Sequence, residues 1–216
     1  MTFFVDNWEA YLAGFVSTLR LTVLSAVVAL AWGMVIGAFR VSPLRPLRLF
    51  AAVWVELFRN TPLTLVFFFL VFVAPVFGLI TPLGLWTAVV CLSAYTSAFV
   101  AEAVRSGINS VGIGQAEAAR SIGLTFGQTL GTVILPQAVR SVVPPLINVF
   151  IALTKNTSVA AGFGVIELAA WGRRLTTANP AAGLWPLIGV AVAYLVITIP
   201  AGVLAGAVER KVAFTR

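Results

Sequence analysis

The sequence predicts an all-α integral membrane protein with five membrane-spanning helices. Of the 216 residues, 60% are hydrophobic and 10% are charged, and the mean hydropathy is +1.04. A water-soluble domain has no core large enough to bury that much apolar surface, so a bilayer must cover the rest. Five apolar segments are long enough to cross it, at 14–38, 50–74, 84–104, 139–158 and 185–208. We expect residues 1–216 to form one membrane domain, with 105–138 as a loop outside the bilayer.

The positions of the basic residues predict the orientation of these spans. Lys and Arg occur between the first two segments, around the loop 105–138 and in the C-terminal tail, whereas the segment 1–10 has none. The positive-inside rule therefore places the N-terminus outside and the C-terminus in the cytoplasm. The net charge of +7 forms no patch, so no nucleic-acid partner is expected. A single cysteine and the absence of histidine argue against a disulfide framework and a metal site.

Polar residues interrupt the second and fourth spans with similar chemistry. The second span contains the run Arg59-Asn60-Thr61-Pro62, and the fourth contains Lys155-Asn156-Thr157-Ser158. Counted along straight helices from Arg48 and Arg140, Arg59 would lie about 16 Å and Lys155 about 22 Å into the membrane. Charged groups at that depth are costly and usually mark the path of a transported substrate.

Each interruption is predicted to break its helix. Thr61 before Pro62 has the pattern of an N-cap followed by proline at the first helical position, so a new helix is expected to start there. In the fourth span, Thr157 or Ser158 is expected to cap a further helical piece that runs toward Glu167. A cationic side chain beside a helix N-terminus favours an anionic or zwitterionic small solute.

The candidate substrate-binding residues belong to these two interruptions. Arg59 would bind a carboxylate through its fork of donors, Lys155 would add a point charge, and Glu56 would hold an ammonium group or orient Arg59. The alternative is structural: Arg59 pairs with Glu56 one helical turn away, and Lys155 extends to the membrane interface. The complete candidate set is Glu56, Arg59, Asn60, Thr61, Lys155, Asn156, Thr157 and Ser158.

The loop 105–138 is predicted to fold as a helical hairpin. A run of small residues at 115–122 favours a short helix, and Gly123 provides a left-handed stop. Thr125 and Gln128 form a capping box for a second helix, which Pro136 is expected to end. Either a partner protein or the bundle itself must cover the apolar side chains of this hairpin, which are Ile122, Leu124, Phe126 and Leu130.

Two Gly-x-x-x-Gly spacings predict close helix packing. One is formed by Gly33 and Gly37, the other by Gly202 and Gly206. Such spacings let helix backbones approach each other, either within one bundle or between two subunits.

The loop resembles a known family motif. The run Glu117-Ala118-Ala119, followed by Gly123 and then by Ile134-Leu135-Pro136, is similar to the EAA loop in permease subunits of bacterial ABC importers. The residues at 56–62 and 153–158 resemble the polar amino-acid permeases and, among these, the glutamate-importing branch of actinobacteria. The resemblance covers essentially the whole chain.

The resemblance implies a type I ABC importer permease in the bacterial plasma membrane. A second permease chain, identical or a sister subunit, would accompany it, and an extracytoplasmic binding protein would deliver the amino acid. The sequence has no P-loop, so two separate ATP-binding cassette subunits would hold ATP and Mg, and this chain would need no cofactor of its own. The residues implied in coupling to those ATPase subunits are Glu117, Ala118, Ala119, Gly123, Leu124, Leu135 and Pro136.

The expected substrate is an acidic amino acid, L-glutamate. Many members of the family have Asp where this chain has Asn156, and an Asp would repel the second carboxylate of glutamate. Glutamine, aspartate and a basic amino acid are alternatives within the same class. An ion-coupled secondary transporter is disfavoured by the scarcity of membrane acids, and a scaffold protein by the two costly polar interruptions.

Overall fold

The protein is a bundle of helices. A computed structural model describes residues 2–79 and 84–212, and within those ranges it contains no strand. The α-helices are α1 (Thr2–Asp6), α2 (Trp8–Arg40), α3 (Arg45–Asn60), α4 (Leu63–Phe68), α5 (Leu85–Asn109), α6 (Ile113–Ser121), α7 (Phe126–Gln128), α8 (Leu135–Asn156), α9 (Leu168–Ala178) and α10 (Trp185–Val212). Shorter π or 3-10 segments extend them at Phe69–Val73, Ala74–Phe77, Thr129–Ile134, Thr157–Phe163 and Pro180–Ala182.

Four helices of the described chain are long and apolar enough to cross a membrane, and a bent pair makes a fifth span if its halves are counted together. Helices α2, α5 and α10 correspond to the first, third and fifth predicted spans, and the fourth lies within a continuous helix from Phe126 to Phe163. The prediction of an all-α membrane bundle is confirmed. Residues 213–216 of the basic tail lie outside the described residues.

The central helix of the bundle is α5. In its apolar part 61% of the residues are buried, against 6% in α10, which therefore lies at the periphery. The largest buried cluster joins α5 to its neighbours through Leu21 of α2, Phe67 of α4, Leu92 of α5 and Leu153 of α8.

Helices α2 and α5 approach each other closely at Gly33. A Cβ atom added there would lie 2.5 Å from Cβ of Val100 and 2.8 Å from the carbonyl oxygen of Ser97. Gly37 repeats this contact one turn further along, against Val104. Because residue 33 faces 100 and residue 37 faces 104, the two helices run parallel. Packing within the bundle is therefore confirmed for this Gly-x-x-x-Gly spacing.

The second span breaks where the sequence predicted. Helix α3 ends at Asn60, α4 begins at Leu63, and their directions differ by 106°. The predicted N-cap at Thr61 is wrong by one residue, because Thr61 makes no capping hydrogen bond and Pro62 is the N-cap. A residue before proline is disfavoured in helical conformation, and Pro62 itself has a ψ of 135°, so helical geometry starts only at Leu63.

The fourth span does not break as predicted. After α8 the segment Thr157–Phe163 continues as a 3-10 helix, and neither Thr157 nor Ser158 caps a new one. Their hydroxyls donate instead to the carbonyls of Thr154 and Lys155, at 2.7 and 2.8 Å. A hydroxyl that bonds back to the preceding turn is satisfied without ending the helix, so a cap-like sequence does not suffice to start one.

The hairpin has the predicted turn and cap. Gly123 has a φ of +85° and ends the first helix in the left-handed region. The Gln128 backbone N–H donates to the Thr125 hydroxyl at 3.4 Å, and the Thr125 N–H donates to the Gln128 side chain at 2.9 Å. Both hydrogen bonds of the capping box are thus present.

Pro136 does not end the second helix of the hairpin, contrary to the prediction. It lies in the first turn of α8, inside the continuous helix from Phe126 to Phe163. The π segment Thr129–Ile134 comes directly before it. A π turn is wider than an α turn, which makes room for the proline ring and lets the helix continue.

The bundle has two distinct ends. The hairpin end carries the last turns of α2 and α5 together with α6 and the last turns of α10. At the opposite end, the Tyr11 hydroxyl near the start of α2 donates to the carbonyl of Pro186 near the start of α10, at 3.1 Å. Helix α9 lies at this opposite end.

The contact at Gly33 generates a testable prediction. Gly33→Ala should lower the melting temperature of the detergent-purified protein, because the added methyl group overpacks the α2–α5 contact at a cost of about 1–3 kcal/mol. Gly202→Ala is the matched control, since a Cβ there meets no atom within 4 Å. Equal melting temperatures for Gly33→Ala and the unmodified protein would contradict this packing.

Candidate functional site

Glu102 of α5 gathers arginines from three helices. Arg105, one turn further along α5, donates from Nε to both carboxylate oxygens at 3.1 Å and also through a terminal guanidinium nitrogen. Arg40, the last residue of α2, lies 3.5 Å from the carboxylate, and Arg59 near the end of α3 lies 4.0 Å from it. One carboxylate thus faces three guanidinium groups, so the Glu102 cluster is net cationic.

Arg59 is the most loosely held member of the Glu102 cluster. Its side chain is 42% exposed, against 34% for Arg105 and 18% for Arg40. Its guanidinium carbon lies 5.9 Å from the ring centroid of Phe99, within reach of a cation–π contact. Arg59 therefore has the longest ion pair in the cluster and the greatest freedom to bind something else.

The depth predicted for Arg59 stays a prediction. Helix α3 is continuous from Arg45 to Asn60, so Arg59 lies about 16 Å along it from Arg48, and the 106° bend follows only after Arg59. Arg59 lies level with Glu102, in a helix that ends at Asn109, about 10 Å along the axis from the hairpin end.

Glu56 has a different partner from the one that the structural alternative proposed. Asn60 donates to the Glu56 carboxylate at 2.8 Å and to its backbone carbonyl at 2.9 Å. Glu56, Asn60 and Thr61 line a separate, open pocket on the outer side of α3. The carboxylate that orients Arg59 is Glu102, not Glu56.

A cavity of about 450 Å³ lies between α5 and α8. Its wall includes the amides of Asn148 and Asn156, the side chains of Tyr95 and Thr96, and the ring of Phe99. The volume lies within the range of small-molecule sites, and the wall mixes aromatic surface with a few polar groups. Because Arg59 lies over the same Phe99 ring, the arginine adjoins this cavity.

The other candidates of the fourth span do not line this cavity. Lys155 is exposed, and the Ser158 hydroxyl is bonded to the preceding turn. Thr157 is fully buried, with its hydroxyl 3.5 Å from that of Tyr194. Of the predicted site residues, Asn156 lines the cavity and Arg59 contacts its Phe99 wall, whereas Glu56, Asn60 and Thr61 line the separate pocket.

A second carboxylate, Glu167, is buried and organises the opposite end of the bundle. Its side chain is completely buried; one oxygen accepts the Ala170 N–H at 2.9 Å, and the other accepts the Tyr194 hydroxyl at 2.6 Å. The Thr18 hydroxyl donates to the same carboxylate at 3.4 Å and accepts the Leu168 N–H at 3.1 Å. These donors satisfy the buried carboxylate and tie the start of α9 to α2 and α10.

Sequence reasoning did not select several residues of this site. Glu102 did carry a signal, because an acidic residue inside an apolar span requires a cationic partner. Asn148 carried a weaker one, as a single amide between apolar neighbours. For Tyr95 and Thr96 the sequence carried no signal that distinguishes a cavity wall from ordinary helix packing. Only the crossing of α5 and α8 decides which face of α5 lines the cavity.

The hairpin leaves its apolar tip uncovered. Ile122 is 79% exposed and Phe126 is 80% exposed, whereas Leu124 is half-buried. Of the other residues implied in coupling, Ala119 is buried, and the exposed ones are Glu117, Ala118, Gly123, Leu135 and Pro136. An exposed apolar surface of this kind suits a partner protein, and the bundle itself does not cover it.

A helical membrane bundle with a broken span, a cationic cluster at its break and an exposed hairpin defines a solute-transport subunit. Residues 29–214 match the family described as the binding-protein-dependent transport system inner membrane component, and the chain belongs to this family.

Relatives with assigned transport roles align over nearly the whole chain. The chain is 40% identical to the glutamate transport system permease protein GluC of Corynebacterium glutamicum, with 98% of each protein covered. It is 37% identical to the probable glutamine ABC transporter permease protein GlnM of Bacillus subtilis, covering 95% of this chain and 94% of that one. It is 34% identical to the arginine transport system permease protein ArtQ of Bacillus subtilis, covering 93% and 91%.

Solved structures agree with this assignment. A crystal structure of an amino acid ABC transporter with histidines superposes with a TM-score of 0.89 at 30% identity, covering 96% of both chains. The MetNI methionine ABC transporter superposes with a TM-score of 0.77 at 20% identity, covering 97% of this chain and 99% of that one, and supports the fold alone. The chain is therefore an inner-membrane permease subunit of an amino-acid ABC importer with the type I fold, and it is not an enzyme.

Proposed function

We propose that this permease imports L-glutamate. The observation that carries the proposal is the half-exposed Arg59 guanidinium at the helix break, next to a cavity lined by uncharged amides. A guanidinium binds a carboxylate through paired hydrogen bonds, and neither Asn148 nor Asn156 adds a negative charge that would repel a second carboxylate. The similarity to glutamate permeases supports the same choice.

The importer assembly is part of this proposal. A second permease chain, identical or a sister subunit, accompanies this one, and two ATP-binding cassette subunits with ATP and Mg dock on the hairpin tip around Glu117 and Phe126. The chain itself needs no cofactor. An extracytoplasmic binding protein delivers the amino acid to the opposite end, with the N-terminus outside and the C-terminus in the cytoplasm. Closure of the ATPase pair moves the hairpin as a rigid body, and the spans alternate their access.

The other six predicted substrate contacts keep supporting roles in this proposal. Lys155 raises the positive potential near Asn156, and Ser158 and Thr157 hold the helical segment that presents Asn156. Glu56, Asn60 and Thr61 bind or guide the amino acid at the separate pocket beside the helix break.

Uptake into proteoliposomes tests the substrate. The liposomes contain this chain with its partner permease, the ATPase and the binding protein, and labelled L-glutamate is supplied with ATP inside. Unlabelled glutamate should compete, and arginine should not. Competition by arginine or glutamine alone would replace the acidic substrate with another amino acid, and uptake that follows an ion gradient without ATP would contradict the mechanism.

Loss of the Arg59 guanidinium should abolish uptake without dissociating the complex. Arg59→Ala removes the group that binds the substrate carboxylate but leaves Glu102 paired with Arg40 and Arg105. Arg45→Ala, at the start of the same helix, is the matched control and should transport normally. Uptake and subunit co-elution are measured together, and normal uptake by Arg59→Ala would remove it from the site.

A negative charge at position 156 should change the selectivity. Asn156→Asp places a carboxylate on the cavity wall, and two carboxylates about 8 Å apart repel by about 2 kcal/mol at an effective dielectric constant of about 20. We expect glutamate uptake to fall about thirtyfold relative to glutamine uptake. Asn109→Asp, at the end of α5, is the control. An unchanged ratio in Asn156→Asp would show that this wall does not face the substrate.

A change in the hairpin turn should separate ATP hydrolysis from transport. Proline has a φ near −65° and does not fit the φ of +85° at Gly123, so Gly123→Pro should distort the hairpin tip. ATP hydrolysis should persist while uptake falls to background. Gly127→Ala is the control, because an added Cβ there meets no atom within 4 Å. Coupled uptake by Gly123→Pro would argue against transmission through this turn.

A further inference from the structure

We propose that Glu102 is a positioning residue that exchanges Arg59 with the carboxylate of the transported amino acid. In the structure Arg59 is paired with Glu102, and during transport it leaves Glu102 for the substrate and afterwards returns. This inference rests on the proposed role of Arg59 in substrate binding. In this inference, Glu102 determines when the Arg59 guanidinium is available to bind the substrate carboxylate.

The unequal geometry of the Glu102 cluster keeps the free-energy cost of separating Arg59 from Glu102 low. Arg105 contacts both carboxylate oxygens, and Arg40 lies 3.5 Å away with a side chain that is only 18% exposed. Arg59 lies 4.0 Å away and is 42% exposed. When Arg59 leaves, the carboxylate keeps its two tighter partners, so no charge is left buried without a counterion.

The location of Arg59 gives it a second place to bind. Its guanidinium lies over the ring of Phe99, and that ring is part of the cavity wall that also includes Asn156. The exchange moves the long, flexible arginine side chain from the carboxylate of Glu102, past the Phe99 ring, to a carboxylate in the cavity.

The charge balance favours a substrate that is itself an anion. The Glu102 cluster has three guanidinium groups and one carboxylate. A substrate carboxylate at Arg59 reduces the excess positive charge, whereas a cationic side chain would increase it. After transport Glu102 competes for Arg59 again, and this competition speeds release of the amino acid.

Two measurements test the exchange. One is the equilibrium binding of labelled L-glutamate to the detergent-purified, nucleotide-free importer complex, and the other is the uptake rate in proteoliposomes. Glu102→Gln removes the competitor for Arg59, so the Kd for glutamate should fall about threefold, as expected for the loss of a partly exposed ion pair. The uptake rate should fall as well, because release is slower. A purely structural role of Glu102 would weaken binding and would not tighten it.

A double-mutant cycle that combines Glu102→Gln with Arg59→Lys distinguishes the exchange of Arg59 from a general electrostatic effect of Glu102 on glutamate binding. Lysine keeps the charge but lacks the fork and the reach toward Glu102, so Glu102→Gln should no longer tighten glutamate binding in the Arg59→Lys background. The same gain in both backgrounds would mean that Glu102 acts only through its field, and the exchange would be overturned.

Two further variants keep the test decisive. Arg40→Gln removes a competing partner, so Glu102 should hold Arg59 more firmly and the Kd for glutamate should rise. If Glu102→Gln does not fold, Glu102→Asp, whose shorter side chain withdraws from Arg59, should tighten glutamate binding in its place, and weaker binding would overturn the proposal.

Arg59→Ala tests the proposed function separately from the exchange. Undiminished glutamate binding by this variant would remove Arg59 from the substrate site and with it the basis of the proposed function.

Discussion

The close approach of α2 and α5 at Gly33 is the contact on which the rest of the bundle depends. A glycine at this point lets α2 come within reach of the backbone carbonyl of Ser97, so the two helices align in parallel and in one register. That register puts Arg40 at the level of Glu102. It also leaves the other side of α5 free for α8, where the cavity forms. A small change in the distance between α2 and α5 would therefore shift the residues of both the Glu102 cluster and the cavity.

Two carboxylates organise the two ends of the bundle, and they do so differently. Glu167 is completely buried and surrounded by neutral donors from α2, α9 and α10, so it acts as a fixed structural joint. Glu102 is partly exposed and surrounded by three arginines, one of them loosely held. Low dielectric makes an unpaired charge costly at either end. The surplus of cations around Glu102 allows one partner to leave, whereas no surplus charged partner surrounds Glu167 within the described chain.

The broken second span joins the site to the hairpin end. Helix α3 brings Arg59 to Glu102, one helical turn from Arg105, directly before the 106° bend, and the last turns of α5 then lead into α6 of the hairpin. The hairpin tip with Ile122 and Phe126 is open to a partner protein. The tip is joined to the Glu102 cluster through α6, the three-residue turn 110–112 and the last turns of α5. In the proposed mechanism, this connection links an event at the hairpin tip to the charge of Arg59.

Much of this architecture was determined by the sequence alone. The apolar segments, the turn at Gly123, the capping box and the break before Pro62 follow from local chemistry, because the bilayer forces helices and because proline and glycine restrict the backbone wherever they occur. The hydroxyls of Thr157 and Ser158 and the position of Pro136 misled local reasoning, since a hydroxyl can bond back to its own helix and a π turn can accommodate a proline. Only the tertiary structure decided that Arg59 pairs with Glu102 and that Asn148 and Asn156 line a cavity. Those relations join residues that are distant along the chain, and the angles at which α3 and α8 cross α5 set them.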